Sequence, residues 1–159
     1  MIVAFTGHRP PKGGLTYSHT SERDREVVAQ ICIWLQESKP ESAIVGGALG
    51  FDTLAARACW LEKIPYALYA PCTGQESRWP AKAQERYRVM AELAEKVLYV
   101  HDGPYNATCM HRRDEAMVDT ADIVLAFWDG SAGGTAHTVG YARNKGVPVT
   151  NLLERVNED

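Results

Sequence analysis

The residues of this chain best equipped for chemistry fall in a few short segments. One reads Thr6-Gly7-His8-Arg9-Pro10, and a second reads Gly46-Gly47-Ala48-Leu49-Gly50-Phe51-Asp52. Two others carry Glu76, Arg78 and Trp79, and His111-Arg112-Arg113; a last runs from Trp128-Asp129 through Gly133-Gly134-Thr135. Glycine lets a backbone approach a ligand closely and take up positive φ. A glycine-rich turn that opens a helix also presents free N–H groups and the positive end of the helix dipole, which suits phosphate. Gly46-Gly47 and Gly133-Gly134-Thr135 are two such turns, although neither matches GxGxxG or the Walker A pattern.

The side chains near these turns each admit two readings. Arg9 and Arg113 could clamp a phosphate or carboxylate through paired N–H bonds, or form salt bridges to Asp52, Asp114 or Asp129. His8 suits acid–base chemistry, or a hydrogen bond that holds a loop. Asp129 could bind a ribose hydroxyl or close its own turn, and Asp52 reads more readily as a helix N-cap than as a catalyst. Trp79 and Tyr105 could stack on a base or cover a core edge. Cys109 and His111 lack further nearby ligands, so no metal site is expected.

The elements that must position these groups alternate regularly. Apolar runs of strand length occupy Ile2–Phe5, Ala43–Val45, Tyr66–Tyr69, Val97–Val100, Ile123–Phe127 and Val147–Val149. They are near-continuous, as for strands covered on both faces. Between them, Ser21 and Asp24 start a helix with an apolar stripe at Val27, Ile31 and Leu35. Asp52 caps a second, bearing Leu54, Ala55, Ala58 and Leu61, and Pro80 begins a third, bearing Tyr87, Met90, Ala91 and Ala94. A fourth covers Met110 to Thr120, and a fifth Thr135 to Lys145 before Gly146 and Pro148.

That order predicts an α/β fold, a Rossmann-like, doubly wound and mostly parallel sheet of about six strands flanked by helices. Ligands of such sheets bind beyond the carboxyl ends of the strands. Every glycine cluster except Gly13-Gly14 lies at that end, whereas the opposite connections, Glu37 to Glu41 and Lys145 to Pro148, are short and bland. No linker, repeat or low-complexity tract divides residues 1–159, so one domain is expected.

The net charge of −3 gives no overall basic field of the kind that nucleic-acid binders display. No apolar stretch reaches the roughly 18 residues that span a bilayer. The first residues lack a signal peptide's charged region and cleavage site. The four cysteines form no CxxC pair. A cytoplasmic protein with reduced thiols and no membrane partner is the expectation.

Four motifs together resemble the SLOG superfamily, which contains the DprA (Smf) DNA-processing proteins, the LOG phosphoribohydrolases and the YpsA-like proteins. They are TGHRP, GGALGFDTLAA, RRDEAMVDTADIVLAFWDG and GGTAHTVGYA, in that order over nearly the whole chain, and they look most like the YpsA-like branch. The resemblance implies a Rossmann-like domain that binds, and in some branches cleaves, nucleotides or nucleotide-derived ligands. Several relatives act in stress or anti-phage sensing, and such domains are common in phage and bacterial genomes.

The LOG enzymes carry an Arg-Lys pair ahead of a methionine, and later GGxGTxxE. With Met117 aligned, Arg113 falls on the arginine and Asp114 on the lysine; Gly134-Thr135 fall on the Gly-Thr, and Thr138 on the catalytic glutamate. The nucleophilic glutamate of nucleoside 2-deoxyribosyltransferases, which the same passage resembles, also falls on Thr138. Both chemistries need a carboxylate near the anomeric carbon, and threonine cannot carry that charge.

The leading expectation is therefore binding of a phosphorylated, nucleotide-type ligand without a required cofactor. Gly7, His8, Arg9, Gly46, Gly47, Asp52, Arg113, Asp129, Gly133, Gly134, Thr135 and Thr138 make up the expected site. The alternatives are an N-glycosidase-type hydrolase using Glu76, Glu115 or Asp129, and DprA-like binding of single-stranded DNA. Self-association through Trp34 or Trp60 is compatible with the sequence.

Overall fold

The computed structural model describes residues 1–158. Six strands form one sheet in the order β4-β3-β2-β1-β5-β6, and every adjacent pair is parallel. They are β1 (Ile2–Gly7), β2 (Ser42–Val45), β3 (Tyr66–Ala70), β4 (Lys96–Tyr99), β5 (Ile123–Phe127) and β6 (Val149–Asn151). The helices are α1 (Glu22–Ser38), α2 (Phe51–Leu61), α3 (Ala81–Leu93), α4 (Cys109–Thr120), α5 (Gly134–Asn144) and α6 (Leu152–Glu158).

The chain winds outward from β1 to β4, then returns to the other side of β1 for β5 and β6. That reversal leaves a crevice where the loops after β1 and β5 part, the usual ligand position in such sheets. The apolar residues divide into two cores accordingly. Val27, Ile31, Leu35, Leu54 and Phe51 pack with Val3, Phe5, Val45 and Leu68 on one face. Met117, Val118 and Ala142 pack with Ala4, Ile44 and Val124 on the other.

The start of α1 follows the sequence expectation in detail. Ser21 Oγ accepts the Asp24 N–H at 3.0 Å, and Asp24 Oδ2 accepts the Ser21 N–H at 3.1 Å, a reciprocal capping box worth about 1 kcal/mol. Asp24 also accepts the N–H and hydroxyl of Thr16. Burial opposes its charge, yet these hydrogen bonds prevail and hold its carboxyl below the usual range.

Several expectations need correction. Asp52 is not the cap of α2; that position belongs to Gly50, and Asp52 sits in the first turn. Gly50 has φ 86°, and a Cβ there would lie 2.6 Å from the His8 carbonyl, so no other residue fits. The last strand begins at Val149, not Val147, because Pro148 has no N–H for the ladder and offers only its carbonyl, to Val124 N at 2.9 Å. Strand β4 is exposed rather than covered, being a sheet edge. Helix α6 was not foreseen; it follows β6 directly and packs its Leu152, Leu153 and Val156 into the α1 core. Gly13-Gly14 are no exception to the glycine asymmetry, because Gly13 packs against Phe127 at the carboxyl end of β5.

His19 carries more of the architecture than its sequence context suggests. It is fully buried, its Nδ1 lies 3.0 Å from the Tyr17 carbonyl, and its Nε2 accepts the Gly50 N–H at 2.9 Å. Those partners require the neutral ring with its proton on Nδ1. Burial lowers its pKa below 6.5, and the Arg86 charge adds to the effect. The unfolded chain then binds a proton more readily than the folded one, so this contribution is complete above about pH 6.5 and is lost as pH falls below it. Denaturant midpoints compared between the native chain and His19→Gln should therefore converge as pH falls from about 6.5 to 5. A constant difference would show that His19 does not titrate in this way.

Candidate functional site

A cavity of about 500 Å³ opens at the topological switch, lined by the loops after β1, β2 and β5 and by the start of α4. Of the twelve residues expected at a site, Gly7, His8, Arg9, Asp52, Arg113, Gly133, Gly134 and Thr135 line it. Gly46, Gly47, Asp129 and Thr138 do not.

The chemistry of the wall begins with α5. Gly133 stands at its N-cap position and no side chain caps it. The first intrahelical bond runs from the His137 N–H to the Gly133 carbonyl, so the N–H groups of Gly134, Thr135 and Ala136 have no partner in the preceding turn. A Cβ at Gly133 would meet nothing within 4 Å, and one at Gly134 would meet only Asp114 Oδ2 at 3.9 Å. The helix therefore begins at open space, with its positive end toward the cavity.

Gly46 is different. A Cβ there would lie 2.7 Å from Arg113 Nη1 and 2.9 Å from Asp52 Oδ2, so this glycine makes room for protein side chains, not for a ligand. Gly47 likewise abuts Leu68, Gln75 and Tyr87. Into the gap reaches the buried guanidinium of Arg113, which donates to the Gly46 carbonyl and, through Nε, to Asp114 Oδ1 at 2.7 Å. Of the two readings open for Arg113, the structure shows the salt bridge, with Asp114 as partner. Arg9 is exposed and its guanidinium makes no ion pair among the described residues.

Asp52 shares the Arg113 charge with Asp114. Its Oδ2 accepts the Ala48 N–H at 3.1 Å. Burial pushes its carboxyl up to about 6, against the opposing pull of Arg113. Two carboxylates thus face one guanidinium at the cavity floor.

His8 and Lys12 tie the β1 loop to the β5 loop. His8 Nε2 accepts the Asp129 N–H at 2.9 Å and lies 3.0 Å from Asp129 Oδ1. Burial lowers the His8 pKa, only partly countered by Asp129, and so favours the neutral ring. Asp129 Oδ1 accepts the Ser131 N–H at 2.9 Å, and hydrogen bonds from Ser131 hold its carboxyl down to about 2. Asp129 closes its own turn. Lys12 Nζ donates to Ser131 Oγ at 2.9 Å across the mouth.

Thr138 Oγ1 donates to the Gly134 carbonyl at 2.9 Å, so a satisfied hydroxyl stands one turn into α5. Glu76, Glu115 and Asp129, the carboxylates expected to replace a glutamate there, lie outside the lining, whereas Asp52 and Asp114 lie in it. Trp79 packs edge-on against Tyr87, with ring centroids 5.6 Å apart, and Tyr105 is exposed; neither reaches the cavity. Among the described residues no group of histidines, cysteines and carboxylates could hold a metal ion, and no helix is long and apolar enough to cross a membrane. Lys12, His111 and Asp114 line the cavity without having been singled out as ligand-binding residues. His111 stacks on His137 at the rim, centroids 4.0 Å apart. Lys12, two residues beyond Pro10 and next to Gly13-Gly14, was the one with a legible signal.

The model of the YspA SLOG family matches residues 3–146. The uncharacterized SPbeta prophage-derived protein YoqJ of Bacillus subtilis is 29% identical over 119 residues, covering 63% of this chain and 68% of that protein. Among solved structures, DNA processing protein A of Helicobacter pylori, described for its single-stranded DNA binding mode, superposes with a TM-score of 0.68 at 18% identity. It covers 94% of this chain, which spans only 63% of it. The molybdenum cofactor binding protein of Rippkaea orientalis gives a TM-score of 0.58 at 15% identity, over 97% of this chain and 79% of its own. At these identities the two structures show a shared fold.

The shared charge at the cavity floor has a measurable consequence. Raising the Asp52 carboxyl from 3.8 to about 6 means that its ionised form costs the folded state on the order of 3 kcal/mol at neutral pH. Asp52→Asn keeps an acceptor for the Ala48 N–H and leaves Arg113 paired with Asp114. The variant should be more stable than the native chain at about pH 8, with the advantage shrinking as pH falls toward about 4, read as thermal midpoints. A pH-independent loss of about 3–5 kcal/mol, as for an orphaned buried ion pair, would refute this account.

Proposed function

The chain belongs to the YspA SLOG family, and from that premise we propose that it binds a nucleotide or nucleotide-derived phosphorylated ligand in the switch-point cavity. The observation that carries this reading is the uncapped start of α5, where Gly134 and Thr135 face a cavity of about 500 Å³, a volume within the usual range for small-molecule sites. Phosphate there accepts hydrogen bonds from the helix N–H groups and is favoured by the helix dipole. Arg9 and Lys12 on the β1 loop supply positive charge at the mouth. On the floor, Asp52 and Asp114 can accept bonds from hydroxyl or amino groups of the same ligand. Arg113 holds that floor in shape rather than clamping the phosphate.

Sensing fits this site better than cleavage of a glycosidic bond, because a hydrogen-bonded threonine stands where the known chemistries place their glutamate. The structural likeness to a single-stranded DNA-binding protein favours a second reading, in which the phosphate belongs to a DNA strand. The net charge of −3 weakens that reading.

The test is a thermal-shift panel of mononucleotides, dinucleotides, cyclic nucleotides, ADP-ribose derivatives and short single-stranded DNA. A ligand at about 100 times its dissociation constant should add roughly 2.7 kcal/mol, a clear rise in midpoint. Gly134→Val should keep the unliganded midpoint, because the Cβ position is nearly vacant, and lose the ligand shift. A flat panel, or full affinity in Gly134→Val, would overturn the proposal. A shift with DNA alone, steeply reduced by salt, would favour the second reading.

A further inference from the structure

A second cavity, of about 260 Å³, lies away from the switch point, where α2 and α3 diverge. Its wall is apolar, built from Ala56, Trp60, Tyr66, Val89, Met90 and Leu93. Trp60 is 59% exposed and Leu93 50%, although aromatic surface of this size gains much from being covered. Two arginines, Arg57 and Arg86, also line it.

The two guanidiniums have only backbone oxygens for partners in the hydrogen bonds seen. Arg57 Nη1 donates to the His19 carbonyl at 2.6 Å and Arg86 Nη1 to the Tyr17 carbonyl at 3.3 Å. Neither makes an ion pair among the described residues. The neighbouring carboxylates are already engaged. Glu85, which also lines the cavity, is held by Arg88, with Nε to Oε2 at 3.0 Å, and Asp24 is held by Thr16 and Ser21. Both arginines line the same small cavity; burial lowers the Arg57 pKa and the like charge of Arg86 lowers it further, with Asp24 only partly offsetting them. A like-charge pair beside an apolar wall is relieved by an anion that brings its own apolar body.

We propose that this cavity is a second binding site, for a small amphipathic anion of the aryl or alkyl carboxylate class. The apolar body lies against Trp60, Val89 and Leu93, and the carboxylate bridges Arg57 and Arg86. The volume selects a small molecule over a peptide helix, since it falls just under the roughly 300 Å³ at which drug-sized sites begin. The site also has a route to the first cavity. Arg57 holds the His19 carbonyl, the His19 ring holds the Gly50 N–H, and Gly50 opens the helix that carries Asp52.

The experiment titrates the full chain with phenylbutyrate and, separately, its uncharged amide, following tryptophan fluorescence and calorimetric heat. The carboxylate should bind saturably, and the amide about tenfold more weakly or worse, the discrimination expected of a charge-assisted pair. Arg86→Met should weaken the carboxylate by about tenfold and leave the amide unchanged. Trp60→Ala, an exposed position that cannot compromise folding through the core, should weaken both. Absence of saturable binding at millimolar carboxylate, equal affinity for acid and amide, or indifference to both substitutions would overturn the proposal. So would sedimentation showing that a second copy of the chain covers Trp60. None of these outcomes depends on whether the switch-point cavity binds a nucleotide.

Discussion

The guanidinium of Arg113 reaches from α4, on one face of the sheet, across the strand ends to the Gly46 carbonyl at the end of β2. There it pairs with Asp114 from its own helix, and its charge is felt by Asp52 from α2, on the other face. A buried charge is tolerated only when paired and hydrogen-bonded, and the bonds of Arg113 to the Gly46 and Tyr69 carbonyls tie α4 to the ends of β2 and β3. Gly46 has no side chain because the guanidinium occupies that space. The loop from Gly46 to Gly50 is consequently short of freedom, and α2 starts where that loop delivers it.

Two neutral histidines extend the same constraint outward. His8 and His19 each accept a backbone N–H through Nε2, from Asp129 and Gly50 respectively. A ring nitrogen used as an acceptor must stay unprotonated, and burial keeps it so. His8 thereby joins the loops after β1 and β5, while its carbonyl accepts the Phe51 N–H at the head of α2 at 3.1 Å. The cavity walls are set by hydrogen bonds to backbone atoms rather than by packing alone. That arrangement leaves the open N–H groups of α5 as the wall's least satisfied feature.

The alternation of apolar runs with amphipathic stretches made the parallel sheet legible, because a strand covered on both faces and a helix covered on one leave different periods. Ser21 and Asp24 announced their capping box through spacing alone. The glycines announced where a site would lie, but not what each glycine is for. Gly46 and Gly134 look alike in sequence, yet one yields to a protein guanidinium and the other faces vacant space. That difference depends on Arg113, sixty-seven positions from Gly46, and no local pattern reports it. The shift of β6 past Pro148 follows from a missing donor that an apolar count does not register. His19 lay in a polar segment without periodicity, so its burial against Gly50 had no local signature.

The charges around the cavity are ordered, and the order has chemical meaning. Arg9 and Lys12 come from the loop at the mouth, the open N–H groups of α5 form one wall, and Asp52 and Asp114 flank Arg113 at the floor. A plain anion gains from the first two and is repelled by the third. A cation gains only from the third. A molecule with an anionic group at one end and hydrogen-bond donors at the other satisfies all three. Asp52, with its carboxyl near 6, lets the floor change from acceptor-only to donor and acceptor within the range of mild acidity. Asp114, which falls where the LOG pattern has lysine, holds its Oδ2 3.9 Å from the Cβ position of Gly134, so the same carboxylate that pairs with Arg113 also borders the open start of α5.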